Sequence, residues 1–228
     1  MRYRPARIHH KSYHGGGNID GCGPAPGRAC KNYDEAYWTR LRRSYYANVA
    51  LIDDMVGQVI AAAEERWEDN LLIIFTADHG EMLGSHGLWG KHNCMYEEVW
   101  NVPLLVRYPG KGAAGTCGAL VQLTDLFATC MGAAGIEGIP TDGADLRQLA
   151  AAGGHPYVFA EGEGYLAVSD GRYKYAHIRK PGEHFDELLD LEKDPGEYEN
   201  AIGRDENQPA LVDLERQAVT HFMLETLP

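Results

Sequence analysis

Two short, unbroken apolar runs constrain this fold more than any other feature: residues 71–77 (LLIIFTA) and 102–108 (VPLLVRY). Runs of this length, rich in branched side chains and bounded by turn residues, are the pattern of strands buried on both faces. Upstream, Tyr45, Val49, Ile52, Val56, Val59 and Ile60 recur at three- and four-residue steps, which predicts an amphipathic helix over 34–67 with one buried face. Asp34 and Glu35 suit its positive end, and Glu68-Asp69-Asn70 ends it. Helix, buried strand, polar loop of 24 residues, buried strand is the grammar of an α/β sheet whose functional groups sit at strand C-termini. The two runs are expected to lie in one mainly parallel sheet flanked by helices.

The rest of the chain changes style. Residues 120–123 read as a further strand, with Thr124 capping a helix over 125–134. Residues 157–161, 166–169 and 172–177 alternate as short strands, the last two joined by Asp170-Gly171, a two-residue hairpin signal. Residues 187–191 form a fourth strand and 209–224 a closing helix. The expected organisation is a loop-rich lead-in over 1–32, an α/β body over 33–150, and a small antiparallel α+β lobe over 151–228.

Charge and composition exclude several functions. Lys plus Arg number 21 against 33 Asp plus Glu, a net charge of −12, which opposes nucleic-acid binding. An anionic substrate would therefore be held by a metal ion or a few local cations. No stretch reaches the length of a membrane-spanning helix, and the basic start lacks the apolar core of a signal peptide. The expectation is a soluble chain with no membrane partner, a cytoplasmic location being favoured. Five cysteines without a C-x-x-C pair read as buried free thiols.

The chemistry-bearing stretch is Thr76-Ala77-Asp78-His79-Gly80-Glu81, at the end of the first apolar run. An adjacent carboxylate and imidazole at a strand terminus can reach one divalent cation, and Gly80 allows a sharp turn with room for an ion or substrate. Leu83-Gly84-Ser85-His86-Gly87-Leu88-Trp89-Gly90-Lys91 follows, then His92, Tyr96-Glu97 and Val102-Pro103-Leu104. This run resembles the alkaline-phosphatase superfamily, and within it the formylglycine-dependent sulfatases and their phosphonate monoester hydrolase relatives. Residues 45–57 resemble the family's helix before the metal-binding strand; residues 170–175 and 187–195 resemble its C-terminal subdomain.

The resemblance implies a partial alkaline-phosphatase-like α/β fold and metal-assisted hydrolysis of a small anionic sulfate ester. Phosphonate or phosphate ester hydrolysis is the alternative within the superfamily, and a catalytically inert fragment the alternative outside it. Asp78 and His79 match two of the family's metal ligands, for one Ca²⁺, Mg²⁺ or Mn²⁺. Lys91 matches the catalytic lysine that binds the ester oxygens; His86 and His92 flank it as candidate substrate contacts.

One departure is large. The family's nucleophile, a cysteine converted to formylglycine within C-x-P-S-R or C-x-A-S-R, has no counterpart. In Cys22-Gly23-Pro24-Ala25-Pro26-Gly27-Arg28 the fifth position is Pro26 and the arginine comes two residues late. The family's paired metal-binding aspartates on the first strand are also missing, since Asp53-Asp54 lies mid-helix, where neighbouring side chains diverge and a cap or core-edge role is expected. His9, His10 and His14 form a loose cluster without a carboxylate or cysteine at ligand spacing. The expectation is therefore the C-terminal half of a sulfatase-like enzyme, with formylglycine only in an upstream half. That half, or a second copy of the chain, is the expected protein partner.

Overall fold

The computed structural model describes residues 34–226 apart from 92–93, 111–113, 163 and 181–182. The lead-in, with Cys22, Cys30 and the histidine cluster, lies outside the described residues; of the other cysteines Cys117 and Cys130 are exposed and Cys94 is half-buried, so these thiols are not the buried ones expected. The described residues form two compact units, one of 34–91 and 97–115, the other of 94–96 and 116–226.

The first unit begins with α1 (Glu35–Trp67), capped by Asp34, whose carboxylate accepts the Tyr37 N–H at 2.8 Å. Glu68, at φ 52°, ends it. β1 (Ile73–Thr76), α2 (Glu97–Trp100) and β2 (Leu104–Arg107) follow. The α/β class is as expected, but β1 and β2 pair antiparallel, Ile73 opposite Arg107 and Thr76 opposite Leu104. The expectation of a parallel pair is corrected, and the linker explains why. Its two ends are zipped side by side, Gly80 N–H to the Val99 carbonyl at 2.8 Å and Glu81 N–H to the Glu98 carbonyl at 2.9 Å. The chain therefore leaves β1 and re-enters β2 side by side, and the α-helix described between them, α2, is only four residues long.

Neither strand is buried on both faces: Phe75 and Leu105 are exposed, and β2 alternates along its length. The apolar stripe of α1 is exposed too. Val49, Leu51, Ile52, Met55 and Val59 all face solvent, and Trp38 is the one buried residue of the helix. The periodicity was a true helix signal, but no described element covers that face. Asp53 and Asp54 are exposed mid-helix, where Asp54 accepts from Gln58 at 2.8 Å. Neither is a cap or a core-edge residue.

The second unit joins α3 (Asp125–Ala133) and α4 (Leu146–Ala152) to an antiparallel sheet of β3 (Val158–Gly162), β4 (Tyr165–Ser169), β5 (Tyr173–Lys180) and β6 (Glu183–Asp190), in that order. The expected strand at 120–123 is a single parallel bridge from Leu120 to Gly154. Thr124 makes no side-chain cap. Asp125, fully buried, binds the loops around α3 instead, accepting from Gln122 N–H at 2.6 Å, Ala144 N–H at 2.9 Å and His155 Nε2 at 3.0 Å. Gln122 Oε1 in turn accepts the Phe159 N–H of β3 at 2.8 Å, tying this segment to the antiparallel sheet, and the two compact units divide after 115. The hairpin is present, its two-residue loop being Gly171-Arg172, with Gly171 at φ 92°.

The closing helix α5 (Gln208–Thr226) lays Leu211, Leu214 and Ala218 against Leu166, Val168, Tyr175 and Leu188 of the sheet. On the other parity of β5, Lys174 is buried to 1% exposure. Its ammonium donates to Glu197 Oε1 and to the Met95 carbonyl, each at 2.8 Å. No helix among the described residues is long and apolar enough to cross a membrane.

Asp190, at the end of β6, gives the fold an acid-sensitive contact. Burial pushes its carboxyl up, but the Lys193 N–H and the Arg172 guanidinium together hold it below the ordinary carboxylate range. A carboxyl lowered in the folded state stabilises above its unfolded value of about 4, and that contribution is lost as pH falls through the folded value. Asp190→Asn is therefore expected to lose less stability than the unsubstituted chain between neutral pH and the acid limb, read from urea midpoints across pH. Parallel pH profiles for the two proteins would contradict this.

Candidate active site

Asp78 and His79 stand directly beyond the end of β1. The His79 N–H donates to Asp78 Oδ1 at 3.0 Å, and His79 Nδ1 lies 2.8 Å from the Gly80 carbonyl. A carbonyl oxygen only accepts, so Nδ1 carries the proton and Nε2 presents its lone pair. Nε2 then lies 3.7 Å from Asp78 Oδ2, with the Asp78 side chain 87% exposed. Two lone-pair donors facing one another at that separation suit a shared divalent cation, and a His fixed through its other nitrogen is the usual arrangement at metal centres. Among the described residues no group of three or more His, Cys, Asp and Glu could hold a metal ion, so the pair would offer a cation two protein ligands.

Gly80 is required for a reason other than room for a ligand. A Cβ on it would fall 1.9 Å from the Glu98 carbonyl oxygen, so the space beside it is taken by the returning backbone. From there residues 81–90 close into a compact loop. Met82, Leu88 and Gly90 are buried, Leu83, His86 and three glycines take positive φ, and Gly84 packs on the Trp38 ring. Arg42 of α1 donates to the Leu83 carbonyl at 3.2 Å, fastening the loop to the helix.

Lys91, exposed, follows buried Gly90 at the end of this loop. His86 is half-buried in the short turn Ser85–Gly87, at φ 54°. His92 lies outside the described residues. Glu81, which sequence reasoning noticed only as part of a motif, accepts backbone N–H groups from Leu83 at 3.2 Å and Gly90 at 2.6 Å.

An α/β body with an Asp-His pair at a strand end and a lysine beyond a tight loop belongs to the alkaline-phosphatase-like class. Solved structures of that class share the fold. A protein in complex with its substrate D-glucosamine-2-N,6-O-disulfate matches at TM-score 0.71 and 27% identity, over 83% of this chain and 42% of its own. A phosphonate monoester hydrolase from Silicibacter pomeroyi matches at TM-score 0.65 and 29% identity, over 75% and 38%. The Sulfatase family model matches residues 8–136, and the chain belongs to the sulfatase family. It is 34% identical over 183 residues to a choline-sulfatase of Rhizobium meliloti, covering 75% of this chain and 35% of that protein. It is 30% identical to an N-acetylglucosamine-6-O-sulfatase of Bacteroides thetaiotaomicron, covering 74% and 33%. The chain thus spans about a third of the length of these curated relatives.

Proposed function

We propose that this chain contributes a metal-ligand pair and an anion-binding lysine to a hydrolase of small organic sulfate esters. The observation that carries the reading is the geometry at the end of β1: Asp78 Oδ2 and His79 Nε2 face one another at 3.7 Å, with the His79 tautomer set by Gly80. Bound there, a divalent cation would supply Lewis-acid stabilisation of charge on the ester oxygens. Asp78 holds it with a hard oxygen and His79 with nitrogen, a donor set that admits Mn²⁺ as well as Mg²⁺ and Ca²⁺. Lys91 neutralises the anionic ester as its bond breaks. The nucleophile comes from elsewhere, because no C-x-P-S-R or C-x-A-S-R sequence is present.

The protein partner is further α/β structure of a sulfatase, packed on the exposed stripe of α1. Val49, Ile52, Met55 and Val59 make that stripe too apolar to be a settled solvent face, and a two-stranded sheet needs neighbours to be stable. A net charge of −12 disfavours a second copy of the same chain. The likeness to a phosphonate monoester hydrolase, with a histidine at position 79, supports phosphonate esters as the second substrate reading.

Calorimetric titration tests the half-site directly. Ca²⁺ takes about six to eight oxygen ligands, so two protein groups should bind Ca²⁺ or Mn²⁺ only weakly, and Asp78→Ala should remove the remaining heat. Sub-micromolar affinity, or weak binding untouched by Asp78→Ala, would overturn the assignment.

A further inference from the structure

We infer that Glu81 is a positioning residue for Lys91, its carboxylate fixing the far end of the loop that carries the lysine. This rests on the reading of Lys91 as the anion-binding cation and deepens it. Glu81 lies two residues beyond His79, and its own N–H is held by the Glu98 carbonyl at 2.9 Å. From that anchored point Oε1 accepts the Gly90 N–H at 2.6 Å, nine residues on, and the Leu83 N–H at 3.2 Å. The Met82 N–H donates to the Gly90 carbonyl at 3.2 Å.

Gly90 is therefore held on both sides, by a carboxylate at its N–H and by a backbone donor at its carbonyl. That carbonyl belongs to the peptide unit joining Gly90 to Lys91, so these two bonds set the direction in which the chain enters Lys91. Gly90 itself sits at φ 87°, a conformation open to glycine, whose backbone freedom leaves its position to be set by these bonds. Below the loop, buried Met82 and Leu88 leave it little freedom to move as a whole. Glu81 thus ties the residue that introduces Lys91 to a point two residues from the metal-ligand pair.

What matters in this arrangement is an acceptor oxygen at the right reach, not the charge. Glutamine keeps that oxygen and that reach; aspartate keeps the charge and falls one methylene short. The test uses the full 228-residue chain with Glu81→Gln, Glu81→Asp and Glu81→Ala. Amide hydrogen exchange is read at Gly90, and inorganic sulfate is titrated while the Lys91 resonances are followed. Glu81→Gln is expected to protect Gly90 and bind sulfate no more weakly than the unsubstituted chain. Glu81→Asp and Glu81→Ala are expected to expose the Gly90 amide and weaken sulfate binding by about tenfold, the scale of a small misplacement of a binding group. If Glu81→Ala does not fold, the contrast between Gln and Asp carries the test alone. Aspartate behaving as the unsubstituted chain while glutamine fails would overturn the inference in favour of charge, and no change in any variant would overturn it outright. Lys91 resonances that ignore sulfate in the unsubstituted chain would overturn the anion-binding reading itself, and the inference with it.

Discussion

Lys174→Met is expected to destabilise the second unit by roughly 3–5 kcal/mol, the cost of stripping one partner from a buried ion pair. Both side chains are 1% exposed, so the Glu197 carboxylate left behind would have no water to turn to. The Met95 carbonyl loses its donor as well, which leaves a second buried acceptor unsatisfied. A double substitution separates the two losses. Lys174→Met with Glu197→Leu replaces the pair by apolar groups, and such replacements are often close to neutral. The double variant should therefore be more stable than Lys174→Met alone, and its residual loss of about 1–3 kcal/mol reports the Met95 carbonyl. All four tryptophans lie in the first unit, so the measurement is best made by urea dependence of exchange at the Ala176 and Leu188 amides. A Lys174→Met protein within about 0.5 kcal/mol of the original would show that the pair carries no stability.

The nature of the elements was legible from residue patterns, while their partners were not. The 34–67 period, with Asp34 and Glu35 at its positive end, places α1 to within a residue of its observed ends. Whether its stripe is buried depends on what lies against it, and the period carries no such information. Likewise the run LLIIFTA marks a strand, but its direction relative to β2 is set by backbone bonds from Gly80 and Glu81 to the returning chain, which no side-chain pattern encodes. α4 escaped notice although Asp145 caps it and Gly153 ends it, because seven residues offer too few turns to show a period. At the site, the motif singled out Asp78, His79 and Lys91, the residues whose side chains are proposed to hold the metal and the anion. Glu81 does its work on backbone N–H groups nine residues apart in sequence or fewer, and Lys174 meets its carboxylate 23 residues later. Both are contacts between groups that local spacing does not connect. The sequence also carried the departure from the family pattern at Cys22, since the fifth position of that motif is Pro26.

The 228-residue chain alone is expected to hydrolyse neither an aryl sulfate nor a phosphonate ester above the buffer rate. Asp78, His79 and Lys91 can stabilise charge, but a covalent route needs an attacking oxygen, and none of these side chains supplies an activated one. Co-expression with a sulfatase segment bearing C-x-P-S-R and paired aspartates should restore turnover if the α1 stripe accepts it, and aryl sulfate against phosphonate then decides the substrate class. In the restored enzyme Lys91→Ala should lower kcat/KM by roughly 10²–10³, or about 3–4 kcal/mol, the scale of one lost charge-stabilising group. The loss should fall on kcat as well as KM, because negative charge on the departing oxygens is greatest in the transition state. Asp78→Ala should go further and abolish the dependence of turnover on added divalent cation, since His79 Nε2 alone is one ligand. The two variants thus separate the roles: one leaves metal dependence intact with slow turnover, the other removes it. Turnover by the unassisted chain that survives Asp78→Ala would mean that the chemistry lies outside the end of β1.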